Sequence, residues 1–358
     1  MGGTRVALVH DFLVQYGGAE KVLEALHGMF PDAPVYTSVY DRSAMPGAYT
    51  AWDIRTSSLQ RWPARRRLHR AMLPFYPAAF ESFDLSSYDL VISSSSAFAK
   101  GVITLPHTHH ICYTHAPMRY AWMTDTYLKG EREGRMRGVL GPLFHYLRIW
   151  DQVSAQRVDT FVANSTAVKR RIEKFYRRDA VVVPPPVDTS RFVPSGARGD
   201  YYIAVSRFVP YKRMDMAVDA MTRLGKPLKV IGSGRQQADL KRRAGPTVEF
   251  CGWVPNDQLP ALISGARAFL MPGEEDFGIA PVEANACGRP VIAYAAGGAL
   301  DTQVDGVTGI LFTPQMVDAL CEAVTRFETM EFNHDAIAAH ARRFDTEQFK
   351  QRMREIVG

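Results

Sequence analysis

The chain has 358 residues, 46 % of them hydrophobic and 22 % charged, with a formal net charge of +6 at pH 7. This length favours two domains, and the composition excludes disordered, fibrous and single-module proteins. The four cysteines form no C-x-x-C pair, so we expect neither a disulfide framework nor a zinc ribbon, and a reducing cytosol fits best. No apolar run approaches the roughly 18 residues of a membrane-spanning helix, and the first run ends at His10, so we expect neither a span nor secretion.

Short apolar runs alternate with helical patterns along the first half of the chain. The runs mostly lack polar alternation, which is typical of strands buried on both faces of a parallel sheet. A Gly-Gly turn and a helical stretch over 19–30 follow the first run. The predicted strands are 6–9, 35–39, 89–93, 110–114, 160–163 and 180–183.

A proline stretch at 184–186 ends this pattern, and a second series of strands and helices begins after it. The sequence therefore predicts an α/β protein with two facing Rossmann-like domains, each a doubly wound parallel sheet, over 1–186 and 187–340. A final helix is predicted within 341–358 from its apolar spacing. The predicted strands of the second half are 202–206, 228–231, 248–251, 268–271, 291–294 and 310–312, and the predicted helices are 213–224, 235–243, 257–265, 279–287 and 315–327.

Two cations follow the first strand of the second domain. Arg207 and Lys212 stand where a strand gives way to a turn and a helix, so they could neutralise a diphosphate without a metal. A surface charge pair is the plainer interpretation. The next strand ends in Gly232-Ser233-Gly234, where glycines let a backbone approach phosphate oxygens, although an ordinary strand-to-helix turn explains them equally well.

The segment 272–288 carries the most specific pattern. A strand ends near Pro272, and a helix opens at Gly278, where free N–H groups present a positive end to an anion. Glu275 precedes this helix and Glu283 lies about one turn inside it. One carboxylate could reach a sugar while the other accepts ribose hydroxyls. The alternative is an acidic helix start that only complements the helix dipole.

These motifs together resemble the retaining glycosyltransferases of family four, which have the GT-B fold. The resemblance rests on Arg207 with Lys212, on Glu275 and Glu283 at E-x7-E spacing, and on several glycine turns, and it covers nearly the whole chain. The turns are Gly17-Gly18, Gly297-Gly298 and Asp305-Gly306-x-x-Gly309. One departure is Asp301, where many members carry Glu.

The resemblance implies a role for each matched residue. Arg207 and Lys212 hold the diphosphate and stabilise it as leaving group, Glu275 binds hydroxyls of the donor sugar, and Glu283 binds the ribose. The amides of Phe277, Gly278 and Ile279 meet sugar and phosphate oxygens, Gly17 and Gly18 let the first loop approach the phosphates or the acceptor, and no metal or other cofactor is required. In the family the last helix crosses back to the first domain. Trp253 is a candidate for stacking on the base.

His115 follows a predicted strand just before Ala-Pro, where family members place a histidine that lines the donor-sugar pocket. A core or loop histidine is the alternative. His107 and His109 could share a strand face and bind zinc, but no third ligand of suitable spacing follows.

The stretch 54–80 is rich in arginine, contains no acid, and has aromatic and aliphatic residues interleaved. A basic amphipathic segment on an anionic membrane surface is our hypothesis, with a solvated cationic face as the main alternative. No nucleic-acid partner is expected, because no known binding module accompanies the charge. The proposed membrane-facing residues are Arg61, Trp62, Arg65, Arg66, Arg67 and Arg70.

The sequence thus predicts a retaining, metal-independent hexosyltransferase on the cytosolic face of the membrane. The segments 17–21 and 112–120 look most like mannosyl- and rhamnosyltransferases of bacterial O-antigen and exopolysaccharide assembly, which favours GDP-mannose or a GDP-deoxyhexose as donor and a lipid-linked or oligosaccharide acceptor. A nucleotide-sugar 2-epimerase of the same architecture and a catalytically silent membrane-binding protein are the rival functions. The donor base and sugar, the acceptor, the linkage and the oligomeric state stay open.

Overall fold

A computed structural model of the protein describes residues 3–62, 72–123, 133–194 and 199–358. The chain forms two compact units, one of residues 1–184 with 350–358 and the other of residues 185–349. Residues 341–349, which the sequence analysis grouped with the last helix, fall in the second unit.

The described residues of the first unit form a seven-stranded sheet in which all neighbours are parallel, in the order β3-β2-β1-β4-β5-β6-β7. Every residue of β4 is buried, as expected of a strand covered on both faces. The strands are β1 Val6–His10, β2 Val35–Thr37, β3 Ile54–Thr56, β4 Leu90–Ser95, β5 His109–Thr114, β6 Thr160–Ala163 and β7 Val181–Val182. The α-helices are Gly18–Met29, Tyr76–Glu81, Arg119–Trp122, Glu133–Ala155 and Thr166–Tyr176.

The second unit contains a six-stranded parallel sheet within the described residues, in the order β10-β9-β8-β11-β12-β13. The strands are β8 Tyr202–Val205, β9 Leu228–Ile231, β10 Val248–Gly252, β11 Phe269–Met271, β12 Val291–Tyr294 and β13 Gly309–Phe312. The α-helices after residue 185 are Met214–Leu224, Gln237–Arg243, Leu259–Ser264, Ile279–Ala286, Ala299–Thr302, Val317–Glu328, His334–Ala341 and Thr346–Val357.

The predicted α/β fold class with two Rossmann-like parallel sheets is confirmed. The sequence analysis missed β3, because this three-residue edge strand has an exposed arginine at its centre and therefore shows no apolar run. None of the helices in the described part of the chain combines the length and the apolar character that a bilayer crossing requires.

Each sheet has one point where the strand order reverses. In the first sheet this point lies between β1 and β4, and in the second it lies between β8 and β11. At such a point the connections leave toward opposite faces of the sheet, so a crevice opens at the carboxyl ends of the two strands. The fold therefore singles out the segments that follow these four strands as places for ligand chemistry.

Candidate functional site

An ion pair joins the segments that follow β8 and β11. Lys212 ends the 3-10 turn Pro210–Lys212, and its Nζ pairs with Oε2 of Glu275 in the loop after β11. Their side chains are 15 % and 21 % exposed, so both reach the surface of the crevice while most of each is covered. The structure thus brings together the predicted cation and the first predicted carboxylate.

Arg207 belongs to the same group of side chains. Its guanidinium donates to the hydroxyl of Tyr211 at 3.4 Å. The Lys212 ammonium lies 5.3 Å from the centre of the Tyr211 ring. Arg207 is exposed, whereas Phe208 beside it is fully buried and anchors the loop. Two positive charges therefore lie at the carboxyl end of β8, where an anion could approach from solvent.

The Gly297-Gly298 turn after β12 supports the Glu275 loop from behind. Gly297 has φ +60°, and a Cβ placed there would lie 2.1 Å from the carbonyl oxygen of Glu275. A Cβ at Gly298 would lie 2.2 Å from the carbonyl oxygen of Phe277, and the Gly298 N–H donates to the Glu275 carbonyl at 2.8 Å. Only glycine permits this approach, so the turn fixes the backbone that carries Glu275.

The helix Ile279–Ala286 begins at this loop. Its N-cap is Gly278 with φ +90°, Phe277 before it is buried, and Glu283 lies buried in the second turn. The helix therefore begins four residues after Glu275, so the positive end of its dipole belongs to the segment that carries the carboxylate paired with Lys212. The helix starts after Gly278, as the sequence indicated.

Asn285 anchors this helix, and the sequence analysis missed it. Its amide nitrogen donates to the carbonyls of Arg289 at 3.0 Å and Thr308 at 3.2 Å, and its amide oxygen accepts from Gln303 at 2.8 Å. All of these groups are buried. Asn285 is visible in the sequence two residues after Glu283, but no spacing rule indicates which loops such a residue connects.

Gly232 lies at the end of β9 and packs against the backbone after β8. Its Cβ would lie 1.9 Å from the carbonyl oxygen of Ser206, and Phe208 donates its N–H to the Ser233 carbonyl at 2.9 Å. The glycine therefore has a packing role here, in line with the alternative of a plain turn. Trp253 follows β10, the edge strand, and is 78 % exposed, with β9 between its strand and β8.

In the first unit, His115 follows β5 and its Nε2 lies 2.8 Å from Oγ of Ser94 in β4. Burial, and secondarily the nearby His10, lowers the pKa of His115 to about 3, so its imidazole is neutral at pH 7. The backbone of His115 is held at both ends, since its N–H donates to Ser95 and its carbonyl accepts from Asn164. Gly17 is the N-cap of the helix Gly18–Met29.

Asp11, directly after β1, holds the loop that follows β4. Its buried carboxylate accepts four backbone N–H groups, from Ser96, Ala97, Phe98 and Ala99 at 2.5–3.0 Å. In the sequence Asp11 is the residue after the first apolar run, which ends at His10, and no role was predicted for it. The signal was an acid at the end of a buried strand, a position at which a carboxylate commonly binds free amides.

The arginine-rich stretch is less uniform than the sequence suggested. Arg55 lies in β3 and donates to Asp53, Tyr36 and Tyr88, and Met72 and Tyr76 are buried in the core, so these parts do not form a membrane face. Arg61 and Trp62 are exposed, and the Trp62 ring lies 4.9 Å from that of Phe75. The predicted Arg65, Arg66, Arg67 and Arg70 lie outside the described residues.

Across the described ranges no three His, Cys, Asp or Glu side chains come together in a group that could hold a metal ion. All four cysteines lie in these ranges and are free thiols. Burial raises the pKa of Cys112 to about 11 and that of Cys287 to about 12, so neither is a reactive thiolate.

The GT-B fold of glycosyltransferases consists of two such units, each with a doubly wound parallel sheet and polar side chains at its switch point. Sequence models of two families match consecutive parts of the chain, Glycosyltransferase Family 4 over residues 16–191 and Glycosyl transferases group 1 over residues 190–344. The chain belongs to these GT-B glycosyltransferases of family 4 and group 1, as the resemblance of its motifs indicated.

Curated relatives match over part of their length. The GDP-mannose-dependent alpha-(1-6)-phosphatidylinositol monomannoside mannosyltransferase of Mycolicibacterium smegmatis is 35 % identical over 199 residues, covering 47 % of this chain and 52 % of the relative. The D-inositol 3-phosphate glycosyltransferase of Actinosynnema mirum is 30 % identical over 226 residues, covering 53 % and 54 %. The chain therefore spans about half the length of the curated relatives it matches.

Solved structures share the fold over the whole chain. HepE of Anabaena in complex with UDP and glucose superposes with a TM-score of 0.72 at 18 % identity and 99 % coverage of both chains. Sucrose-phosphate synthase from Thermosynechococcus elongatus gives a TM-score of 0.74 at 18 % identity, covering 99 % of this chain and 98 % of that one.

Proposed function

We propose that the protein transfers a hexose from a nucleoside diphosphate sugar to an acceptor hydroxyl with retention of anomeric configuration and without a metal ion. The observation that carries this proposal is the group formed by Arg207, Lys212 and Glu275 at the switch point of the second sheet, beside the start of the helix Ile279–Ala286. The site combines two cations, a carboxylate and the amides of a helix start, which the segments after β8 and β11 bring together.

Two cations suit a departing diphosphate. When the bond from the sugar C1 to the phosphate oxygen breaks, negative charge grows on that oxygen, and Arg207 and Lys212 stabilise it more strongly than they stabilise the bound donor. The backbone amides of Phe277, Gly278 and Ile279 at the start of the helix complete the set of donors, because the N-terminus of a helix favours anions. These residues supply the charge that a divalent ion supplies in other transferases.

The two carboxylates have separate tasks. Glu275 is held by Lys212 from one side and by the Gly297-Gly298 turn from behind, so it presents a fixed acceptor to the hydroxyls of the donor sugar. Glu283 lies one turn into the helix and is assigned to the ribose. His115, with its neutral imidazole, is assigned to the donor sugar, and Trp253 to the base.

The reaction we propose is a front-face substitution. The acceptor oxygen bonds to C1 on the face from which the diphosphate leaves, and its proton passes to a phosphate oxygen of the leaving group. The products are the glycoside and the nucleoside diphosphate. No carboxylate is assigned as a nucleophile, so no covalent intermediate with the protein forms.

The donor and the acceptor are proposed from the relatives. The mycobacterial relatives are named as GDP-mannose-dependent mannosyltransferases, which supports GDP-mannose or a related GDP-sugar. Their named acceptor is a lipid, which supports a lipid-linked acceptor in surface polysaccharide or glycolipid synthesis. We place the enzyme on the cytosolic face of the membrane, held in part by exposed Arg61 and Trp62.

The test compares two ion pairs of the second unit. Lys212→Ala and Glu275→Gln are assayed for transfer from GDP-mannose beside Lys226→Ala. Lys226 lies just before β9, at the amino end of the strands, and its Nζ pairs with Glu328 at 2.7 Å. We expect transfer to fall about 100- to 1000-fold in the first two variants, as on loss of one preorganised charge partner, and to stay near wild type in the third. Equal turnover in all three would refute the site.

Three further measurements test the reaction type. The anomeric configuration of the product, read from NMR coupling constants, is expected to match that of the donor, and EDTA is expected to leave the rate unchanged. Incubation of GDP-mannose without acceptor separates transfer from 2-epimerisation, because an epimerase converts its nucleotide sugar alone. Conversion to a new nucleotide sugar in that tube would overturn the proposal.

A further inference from the structure

Four side chains of the first unit form a continuous hydrogen-bonded chain at the sheet's switch point. Nε2 of His10 lies 3.4 Å from Oε1 of Glu20, and Nδ1 of His10 lies 3.1 Å from Oγ of Ser94. The same Oγ lies 2.8 Å from Nε2 of His115. The chain therefore runs from a carboxylate through an imidazole and a hydroxyl to a second imidazole.

The register of the sheet builds this chain. His10, the last residue of β1, is the direct partner of Ser94 in β4, so their side chains lie side by side on one face. Ser93, one residue earlier, points to the other face, where its Oγ lies 2.9 Å from Nε2 of buried His110. Two adjacent serines thus bind two different histidines on opposite faces of β4.

The hydrogen-bonded chain from Glu20 to His115 connects two segments that the sequence analysis treated separately. Glu20 lies in the first turn of the helix Gly18–Met29, and a Cβ at Gly17 would lie 3.4 Å from its Oε2. His10, Glu20 and Ser94 are all buried. Buried polar groups weaken a sheet unless each is hydrogen-bonded, and apolar residues of the same size are often as stabilising, so this arrangement calls for a role beyond stability.

The donors and acceptors along the chain define a direction. When His10 carries one proton, the Glu20 carboxylate, which only accepts, selects the tautomer with that proton on Nε2, and Nδ1 of His10 then accepts from the Ser94 hydroxyl. The Ser94 oxygen then accepts a hydrogen bond from the N–H group at Nε2 of His115. This leaves Nδ1 of His115 as a bare acceptor, and Nδ1 has no hydrogen-bond partner among the described residues.

We propose that Glu20 and His10 are positioning residues that act through Ser94 to hold His115 in the tautomer with its proton on Nε2, so that Nδ1 accepts a hydrogen bond from a hydroxyl of the donor sugar. The sugar part of this statement rests on the proposed function, whereas the tautomer part does not. Because burial keeps the pKa of His115 near 3, the neutral ring persists at physiological pH and its tautomer is the property that remains to be set.

The test reads the tautomer directly, by long-range proton–nitrogen correlation NMR of the histidine side chains, with His115→Gln to assign the signals. In the wild-type protein we expect His115 to be protonated on Nε2. Glu20→Gln keeps the shape but offers both a donor and an acceptor, so we expect a mixture of tautomers. Ser94→Ala removes the link and is expected to do the same, while Ser94→Thr retains the hydroxyl and is expected to restore the single tautomer.

Ser93→Ala is the matched control. It removes the same kind of hydrogen bond from a buried histidine on the same strand, so we expect the His110 signals to change and those of His115 to stay. Urea unfolding of each variant reports whether the fold persists. A wild-type His115 protonated on Nδ1, or an unchanged His115 tautomer in folded Glu20→Gln and Ser94→Ala, would overturn the proposal.

Activity distinguishes this proposal from the function on which part of it rests. In transfer assays with GDP-mannose we expect kcat to fall about 10- to 100-fold in Glu20→Gln and Ser94→Ala with little change in KM, the loss common when a partner that orients an active group is removed. Wild-type protein that shows the tautomer but transfers no sugar from any donor refutes the proposed function and leaves the positioning chain intact. Normal kcat in both variants refutes the role of the chain in catalysis.

Discussion

Replacing Gly297 by alanine is expected to damage both stability and transfer, because this residue holds the Glu275 backbone in place. The left-handed conformation at φ +60° costs a residue with a Cβ about 1–2 kcal/mol. In addition the new Cβ would lie 2.1 Å from the Glu275 carbonyl oxygen, so that oxygen must move by about 1 Å to reach the 3.0 Å at which real contacts begin. Overpacking of this kind costs about 1–3 kcal/mol, which brings the expected loss to about 2–5 kcal/mol.

Gly306→Ala provides the matched comparison. Gly306 has φ +77°, but its Cβ would meet only the Met330 methyl at 3.8 Å, so this variant has the backbone strain without the clash. Urea unfolding is expected to show a loss of about 1–2 kcal/mol for Gly306→Ala and clearly more for Gly297→Ala. A shift of about 1 Å at Glu275 is expected to lower kcat about 100-fold, with Gly306→Ala unaffected once corrected for the folded fraction. Equal stability losses and equal turnover in the two variants would show that the turn does not position Glu275.

Two further predictions concern buried charge and buried histidine in the first unit. Lys100→Met leaves the buried Asp151 carboxylate without its cation. In urea unfolding this variant is expected to lower the free energy of unfolding by about 3–5 kcal/mol. Lys169→Met breaks the pair with exposed Asp179 and should leave the urea midpoint close to that of wild type. Burial lowers the pKa of His110 to about 4. Below about pH 6.5 the unfolded chain therefore takes up a proton that the folded chain does not. The stability that is present above about pH 6.5 is lost as the pH falls toward 4. At pH 5 this loss is about 2 kcal/mol. Between about pH 7.5 and pH 5 the free energy of unfolding of His110→Gln should therefore fall by that much less than that of wild type. Equal losses in the two proteins would contradict a buried, neutral His110.

The sequence predicted the fold well because its signals are local. The buried strands appear as apolar runs, and the glycines and prolines between them mark the connections, so strand order along the chain follows directly. The start of the helix Ile279–Ala286 and the position of Glu283 within it were likewise predicted from neighbouring residues. Strand β3 escaped because a short edge strand need not be apolar.

The contacts that hold the site together could not be predicted in the same way. The chain from Glu20 to His115 joins β1, β4, the segment after β5 and a helix, and it depends on a sheet register that no single segment encodes. Asn285 contacts a loop more than twenty residues further along the chain. The contacts of Arg55 were hidden in the same way, because its partners Tyr36 and Tyr88 lie 19 and 33 residues away in the sequence.

Strand β4 ends in three consecutive buried serines, and each hydroxyl is within hydrogen-bond distance of another group: Ser93 with His110, Ser94 with His10 and His115, and Ser95 with the Lys100 N–H. Serine is a weaker strand former than valine or threonine, so this central strand is far from its most stable composition. A library of variants selected for heat resistance alone is therefore expected to replace Ser94 early and to accumulate well-folded, inactive proteins. Selection for turnover is what would retain a hydroxyl at this position, and a thermostable version of the enzyme has to be sought elsewhere in the chain.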